Sequence, residues 1–437
     1  MNILIEDIDI LTSDRPVEFV KNADIGIADG IITFIVQHGQ APVSFKADKK
    51  ISGSRRLAMP GMVNAHTHCG MTVMRNTADD LPLHKWLFDR IFPIEAKMTD
   101  EDVYWGTMLG AAEMIRSGTT AFADMYLHMD WAAKAAEETG MRVNLSRSPV
   151  DFHTEGGLKA IDAFEECRSY FKAWNGKANG RLKVYIEVHS TYLFDIESLE
   201  KAAALARELK TGIHIHLLET RKERDDSFAR YGKSPVEISA ESGIFDAPVI
   251  GAHLVHVSER DIELLKNFNV TAAHNPTSNL KLGSGIAPIP GMLAAGINVA
   301  LGTDGVASNN NLNMFEEMHL AALIHKGAAQ NPELVTAGQA LAMATANGAK
   351  ALGFGNETGR IKVGMKADLL LLDVDKPHFY PLNNPLSAVV YSAQGSDVDT
   401  VLVDGNILME NRELKTIDEE KAKFQAGAMA ARLISNG

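Results

Sequence analysis

The distribution of apolar and polar positions divides the chain into three parts. In the first part, residues 1–56, apolar side chains recur at short intervals over residues 3–10. Further along, Asp29-Gly30 is a dipeptide typical of a two-residue hairpin turn. We therefore predict strands in this part, which is too short for an independent domain and needs a partner surface.

In the second part, residues 57–353, strand and helix signals alternate. Eight apolar strand candidates start near Leu57, Thr119, Arg142, Leu182, Gly212, Val249, Val270 and Asn298. Helix start signals at Thr99, Ser234 and Ser258 are each followed three residues later by a carboxylate side chain. This alternation over roughly 300 residues predicts an α/β fold, a TIM (β/α)8 barrel with insertions. The competing architecture is a doubly wound sheet, but its glycine-rich nucleotide-binding turn is missing from the sequence.

In the third part, residues 354–437, strand signals return. Residues 359–373 are a turn that leads into an apolar run, and Asp404-Gly405 repeats the hairpin signal of the first part. We predict that both chain ends pair into one small β-sandwich that flanks the barrel. The predicted organisation is 1–56 and 354–437 for the two parts of the sandwich and 57–353 for the barrel, with a closing helix over residues 418–433.

Composition and charge narrow the class of protein. The chain has 437 residues, of which 46% are hydrophobic and 23% charged, as in a globular protein with a sizeable core. The formal charge of −13 argues against a nucleic-acid partner. The two cysteines, Cys69 and Cys167, cannot form a disulfide framework and fit a reducing compartment. The sequence has no apolar stretch of membrane-spanning length and no signal peptide, so we expect a cytoplasmic protein without a membrane partner.

Side chains that can carry chemistry gather at the predicted strand ends, where barrel active sites are built. His66 and His68 end the first strand and project to one face, because residues i and i+2 of a strand share a face. The later strand ends carry His189, His214 and His216 with Glu219, His253, His274 and Asp304. Taken singly, each histidine is more simply a hydrogen-bonded structural residue. Seven of the 15 histidines at one rim, however, predict a metal site.

Five stretches carry a family resemblance: residues 64–68, 86–95, 216–220, 274–283 and 302–305. In this order they resemble the amidohydrolase superfamily, and within it the 5′-methylthioadenosine/S-adenosylhomocysteine deaminase family. The resemblance covers nearly the whole chain. It implies the barrel and the flanking β-sandwich that the strand pattern predicts.

The resemblance implies a metal-dependent barrel. Four side chains would hold one divalent metal per chain: His66, His68, His216 and Asp304. Three imidazoles and a carboxylate suit Zn²⁺ best, with Fe²⁺ or Mn²⁺ as alternatives. Binuclear relatives use a lysine at the end of strand four, but His189 stands there and Lys183 lies at the strand's start. We therefore expect a mononuclear site.

The resemblance also implies hydrolytic deamination of an adenine nucleoside to the inosine analogue and ammonia. Glu219 would protonate N1 of the purine ring, and Asp304 would move a proton from water to the leaving amine. His253 would hydrogen-bond the developing hydroxide. As an alternative, Glu219 could cap the helix that follows it.

The substrate contacts come from the same resemblance and would be Trp86, Glu95, Arg147, His189, Glu219 and Asp304. Glu95 would bind the ribose hydroxyls, and His189 would contact the purine or sugar. Trp86 would form an apolar wall, although it is equally consistent with core. Arg147 would pair with the homocysteine carboxylate of S-adenosylhomocysteine.

One departure from the family bears on the substrate. Some relatives carry a second arginine after the glycine pair that corresponds to Gly156-Gly157, whereas Leu158 and Lys159 follow here. A lysine is a point charge without the bidentate fork of arginine. The departure favours 5′-methylthioadenosine or 5′-deoxyadenosine over S-adenosylhomocysteine, and adenosine stays a further candidate.

Two rival functions stay open at this point. One is another amidohydrolase, acting on guanine, a pterin or an s-triazine chloride, since these branches share the metal ligands. The other is a catalytically silent scaffold that kept the barrel for assembly. The sequence also leaves open the native metal, the physiological nucleoside and whether the chain forms a homo-oligomer.

Overall fold

The computed structural model describes residues 1–13, 16–153 and 159–434, with only the backbone described for 151–153 and 159–161. In the described part of the chain, no helix combines the length and the apolar character that crossing a membrane requires.

Eight parallel strands form the central barrel in chain order. They are Met62–Thr67, Thr119–Met125, Arg142–Arg147, Leu182–Ser190, Ile213–Leu217, Val249–His253, Val270–His274 and Asn298–Leu301. The last strand approaches the first, and the amide of Asp304 donates to the backbone oxygen of His66 at 2.9 Å. The predicted (β/α)8 barrel is therefore confirmed, and its carboxyl ends carry the residues that the sequence singled out.

Helices cover the outside of the barrel. The longer ones are Asp100–Arg116, Met129–Thr139, Phe164–Trp174, Ile196–Leu209, Arg221–Tyr231, Pro235–Glu241, Glu259–Leu265, Met314–Ala329 and Ala337–Ala344. The chain also has the shorter helices Leu83–Trp86, Phe92–Glu95, Pro276–Lys281, Ile289–Ala294, Val306–Asn309 and Ala346–Ala351. The predicted helix starts are confirmed, because Thr99, Ser234 and Ser258 each form a capping box with the carboxylate three residues later.

Strands from both chain ends form a second, nine-stranded sheet. They are Ile3–Leu11, Phe19–Ala28, Ile31–Gln37, Lys49–Ser52, Arg56–Pro60, Leu369–Asp373, Val398–Val403, Asn406–Glu410 and Glu413–Leu414. Arg56–Pro60 joins the two ends, because it pairs in parallel with the first strand and antiparallel with Leu369–Asp373. The sheet curls until Ile31 meets Lys366 and encloses its own core of isoleucine and leucine side chains.

The first barrel strand begins at Met62 and not near Leu57. The apolar run is divided at Gly61: Arg56–Pro60 belongs to the flanking sheet, and the amide of Met62 donates to the carbonyl oxygen of Gly118 in the barrel at 3.1 Å. Both halves of the run are buried, so the apolar pattern alone does not show where one sheet ends. The domain bounds stay predictions.

A buried ion pair connects the barrel to the flanking sheet. Arg142 starts the third barrel strand and is 1% exposed. Its Nε and Nη2 atoms donate to the two carboxylate oxygens of Asp368 at 2.7 and 3.1 Å. This bidentate pairing offsets the cost of burying both charges. The closing helix, Glu419–Ile434, is anchored by Arg116, whose Nε donates to Glu419 at 2.7 Å.

Candidate active site and metal centre

Four side chains from three barrel strands converge at the carboxyl end of the barrel. The Nε2 atom of His68 lies 3.2 Å from Nε2 of His216 and 3.2 Å from Oδ1 of Asp304. The Nε2 atom of His66 lies 3.5 Å from the same oxygen. Atoms that share one zinc ion at about 2.0–2.2 Å in a tetrahedron lie ~3.3–3.6 Å apart. The three separations in the structure, 3.2, 3.2 and 3.5 Å, are close to those that a shared ion requires.

In two of the three histidines, a hydrogen bond at Nδ1 determines that the Nε2 atom faces the centre of the cluster. The Nδ1 atom of His68 lies 2.6 Å from the backbone oxygen of Met125, and Nδ1 of His216 lies 2.8 Å from the backbone oxygen of His189. A carbonyl oxygen only accepts, so both Nδ1 atoms donate and both Nε2 lone pairs point inward. The Nε2 atom of His66 is buried and has no hydrogen-bond partner among the described residues. This donor set fits a divalent metal.

Asp304 follows the eighth strand and is held by two serine hydroxyls. Ser278 and Ser308 donate to its Oδ2 atom at 2.6 and 3.0 Å, while Oδ1 faces the histidines. Burial raises the pKa of Asp304, but the imidazoles of His66 and His68 beside its Oδ1 atom lower it by more, so the pKa lies well below the usual range. The carboxylate is therefore ionised, as a metal ligand must be.

Glu219 and His253 lie beside this cluster. The Oε2 atom of Glu219 is 3.8 Å from Nε2 of His253, and the Ser284 hydroxyl donates to Oε1 at 3.3 Å. The Nδ1 atom of His253 lies 2.8 Å from Oδ1 of Asn279. Burial raises the pKa of Glu219, and the charge of His253 opposes this in part. A raised pKa keeps a proton on the carboxyl nearer to neutral pH, which suits an acid.

Glu219 does not cap the helix that follows it. The cap of Arg221–Tyr231 is Thr220, whose hydroxyl accepts the amide of Glu223 at 3.1 Å. The alternative structural interpretation of Glu219 is therefore wrong, and its side chain faces the cavity.

A cavity of about 730 Å³ joins the metal cluster to the predicted substrate contacts. The predicted residues that line it are His68, Trp86, Glu95, Arg147, His189, His216, Glu219, His253 and Asp304. His66 is fully buried beneath this surface. The geometry gathers the whole predicted set at one place, and the roles of its members stay predictions.

The sugar-binding candidates differ in their surroundings. Trp86 is 6% exposed and its indole nitrogen donates to the backbone oxygen of Ala307 at 3.3 Å, so it belongs to the core and to the cavity wall at once. Glu95 ends the short helix Phe92–Glu95. Burial raises its pKa to about 7, although a hydrogen bond with Tyr126 opposes this.

Arg147 ends the third barrel strand, and its Nη1 atom donates to the backbone oxygen of Ser148 at 2.7 Å. The neighbouring departure from the family at Gly156, Gly157 and Leu158 lies outside the described residues, and the side chain of Lys159 does too. The structure therefore adds nothing to the prediction about a second carboxylate contact.

Several residues of the site were not assigned a role from the sequence. Tyr126 and Tyr192 line the cavity, Ser278 and Ser308 hold Asp304, Asn279 holds His253, and His214 with Ser146 forms a hydrogen-bond chain behind His66. His214 has a sequence signal, because it precedes His216 by two residues on one strand. Ser278 and Asn279 lie within the 274–283 stretch. The other residues show no signal beyond their position near a strand end.

Comparison with known proteins shows which family this chain resembles. Residues 57–408 match the amidohydrolase family. A 5-methylthioadenosine/S-adenosylhomocysteine deaminase of Acetivibrio thermocellus is 59% identical over 434 residues, 99% of this chain and 100% of the relative. An adenosine deaminase from Xanthomonas campestris, solved with bound zinc, has a TM-score of 0.94 at 33% identity, covering 99% of this chain and 98% of that one. A triazine hydrolase variant has a TM-score of 0.91 at 25% identity, covering 98% and 99%.

Proposed function

The chain belongs to the amidohydrolase family and, within it, to the 5-methylthioadenosine/S-adenosylhomocysteine deaminases, and we propose that it deaminates adenine nucleosides by metal-dependent hydrolysis. The products are ammonia and the inosine analogue. What most directly supports this is Glu219, a buried carboxyl of raised pKa that lies beside a four-ligand cluster in one cavity. Candidate substrates are 5′-methylthioadenosine, 5′-deoxyadenosine, adenosine and S-adenosylhomocysteine.

The metal ligands in this proposal are His66, His68, His216 and Asp304. We propose zinc, because three imidazoles and a carboxylate suit it and a 33% identical solved relative holds it. A divalent ion bound there lowers the pKa of a water molecule and so supplies the nucleophile at neutral pH.

The protein's own groups then move the protons. Glu219, whose pKa is raised by burial, donates a proton to N1 of the purine as C6 is attacked. Asp304 accepts the proton of the attacking water and passes it to the leaving amine. His253, whose Nε2 faces Glu219 across 3.8 Å, hydrogen-bonds the oxygen that adds to C6.

The rest of the cavity would recognise the nucleoside. Glu95 accepts hydrogen bonds from the ribose hydroxyls, Trp86 forms an apolar wall, and His189 contacts the purine or sugar. Arg147 pairs with a substrate carboxylate where one is present. A cytoplasmic location stays a prediction from the sequence.

The rival functions are less well supported. Guanine, a pterin or an s-triazine chloride has no ribose and so gives Glu95 no hydroxyl pair to bind. The likeness to a triazine hydrolase variant at 25% identity is also far below the 59% identity to the deaminase.

Ammonia release from a panel of adenine nucleosides, guanine and a pterin, together with chloride release from a chlorinated s-triazine, tests the proposal. We expect turnover of the adenine nucleosides alone and about one bound divalent ion per chain. His216→Ala should lose both metal and turnover, whereas His378→Ala, at a histidine that pairs with Asp397 instead, should keep both. A fully active metal-free preparation, or turnover of guanine without any nucleoside, would contradict it.

A further inference from the structure

Helix Arg221–Tyr231 begins in an unusual way. In the capping boxes at Ser234 and Ser258, the carboxylate of the third helical residue accepts the amide of the cap residue itself. Glu223 is the third residue of its helix, and its own amide donates to the Thr220 hydroxyl in the ordinary manner. Its carboxylate, however, does not form a capping box with Thr220. It reaches further back along the chain.

The carboxylate of Glu223 holds two successive amides next to the active site. Its Oε1 atom accepts the amide of Leu218 at 3.0 Å, and its Oε2 atom accepts the amide of Glu219 at 2.8 Å. Glu223 is 5% exposed, and it is not among the described residues that line the cavity. Glu223 therefore bears on the reaction through Leu218 and Glu219, whose amides it holds.

The turn that these hydrogen bonds hold is one that the local sequence disfavours. Leu218 has a φ of 52°, in the left-handed region that residues other than glycine rarely adopt. It is fully buried, and its carbonyl oxygen accepts the amide of His256 at 2.9 Å. The left-handed residue turns the chain after the fifth strand so that Glu219 faces His253. A leucine keeps this conformation only where its surroundings impose it.

We infer that Glu223 is a positioning residue for Glu219: by bridging the amides of Leu218 and Glu219 it fixes the turn from which the acid reaches the purine. The inference rests on the proposed function, in which Glu219 donates the proton to N1. Displacing a proton donor by a fraction of an ångström affects the transition state more than substrate binding. The loss on changing Glu223 should therefore appear in kcat rather than in KM.

A double-mutant cycle on the metal-loaded enzyme with 5′-methylthioadenosine tests this. Glu223→Gln keeps the side-chain size, but its amide nitrogen cannot accept the second hydrogen bond. We expect kcat to fall about 10- to 100-fold, with KM and metal content changed less than about threefold. In a Glu219→Gln background the same change should lower kcat by less than about threefold, because there is no acid left to position.

Glu237→Gln is the matched control. Glu237 is also the third residue of a capped helix, but its carboxylate accepts the amide of its own cap residue, Ser234, at 2.9 Å. Glu237→Gln should keep the wild-type kcat, and only Glu223→Gln should lower it. If Glu223→Gln fails to fold, Glu223→Asp replaces it, because it keeps the charge at the helix start with a side chain too short to bridge both amides.

Three results would overturn the inference: unchanged kcat in Glu223→Gln, an equal loss in both backgrounds, or a loss accompanied by metal release. Failure of the proposed function is distinguishable, because Glu219→Gln alone would then turn over like the wild type. The inference about Glu223 fails by itself where Glu219→Gln is slow and Glu223→Gln is not.

Discussion

The Nδ1 atom of His66 lies 2.9 Å from Nε2 of His214, and Nδ1 of His214 lies 3.3 Å from the hydroxyl of Ser146. Both histidines are fully buried. If His66 donates from Nδ1 to His214, which in turn donates to Ser146, then the Nε2 lone pair of His66 faces the metal centre. His214 therefore sets the tautomer of a metal ligand that belongs to a different strand.

His214→Phe should lower metal affinity about 10- to 100-fold, the usual range for the loss of a hydrogen bond that orients a ligand. Turnover should recover at high metal concentration, since the four ligands remain. Competition with a chelator measures the affinity. His325→Phe is the control, because His325 also contacts a buried histidine, His274 at 3.3 Å, but neither is a predicted ligand. Equal affinities in wild type and His214→Phe would mean that His66 is oriented by packing alone.

Glu219→Gln should keep its metal and lose about 10²–10⁴-fold in kcat, the range of general acid–base assistance. Glutamine fills the same space and can still accept from Ser284, but it carries no acidic proton. Metal analysis and steady-state rates with one nucleoside provide the measurement. Glu259→Gln, at the exposed start of helix Glu259–Leu265, should match the wild type. Wild-type rates in Glu219→Gln would show that another group protonates N1.

The raised pKa of Glu95 predicts that kcat/KM, which measures substrate capture, depends on pH. Burial raises its pKa to about 7, so the carboxyl is largely protonated below that pH and ionised above it. Only the ionised form offers all its oxygens to the two ribose hydroxyls. We therefore expect kcat/KM to fall as the pH drops below about 7, approaching tenfold per pH unit.

Two comparisons identify Glu95 as the titrating group. Glu95→Gln should lose this acidic limb, because an amide does not titrate. A 2′,3′-dideoxyadenosine substrate should lose it in the wild-type enzyme, because it lacks the 2′ and 3′ hydroxyls that Glu95 would bind. An acidic limb that persists in both would assign the titration to a different residue.

The sequence predicts the barrel well because its strands are buried on both faces and read as separate apolar runs. The predicted starts at Thr119, Arg142 and Val249 coincide with those in the structure. The predicted strand start near Leu57 is the exception. At Gly61 the chain leaves one buried sheet and enters another, and no polar residue marks the boundary. Such a division depends on long-range pairing with Leu369–Asp373, which no local pattern encodes.

Prediction of the site from local sequence patterns is limited in the same way. Side chains that face the cavity stand at strand ends and could be found there, as His216 and Asp304 were. His274 also ends a strand, yet its Nε2 lies 3.3 Å from His325. Among the described residues, two groups of side chains are close enough to hold a metal, His66 with His68 and His216 and His66 with His253 and Asp304, and His274 belongs to neither. Position at the rim does not determine which way a ring turns. Glu223 was missed for a similar reason, since its partners are backbone amides that have no sequence signature.

Arg147 carries the last prediction, which concerns the range of substrates. It lines the cavity at the end of the third strand, and a charge-assisted contact with a carboxylate contributes about 1.5–3 kcal/mol, or roughly 10- to 100-fold. Arg147→Met should lower kcat/KM for S-adenosylhomocysteine by that factor and barely change it for 5′-methylthioadenosine, which has no carboxylate. Arg168→Met, at an arginine that pairs with Glu208 on the exterior, should change neither.

The comparison of two substrates within one variant cancels general damage to the fold or the metal site. A selective loss of kcat/KM for S-adenosylhomocysteine therefore reports on the carboxylate alone. Its size measures the contribution of a single arginine, where some relatives have two. If both substrates lose equally in Arg147→Met, the arginine supports the barrel through contacts such as its hydrogen bond to the Ser148 backbone and does not read the substrate. A wild-type enzyme that already rejects S-adenosylhomocysteine while turning over 5′-methylthioadenosine would show instead that Lys159 does not replace the second arginine.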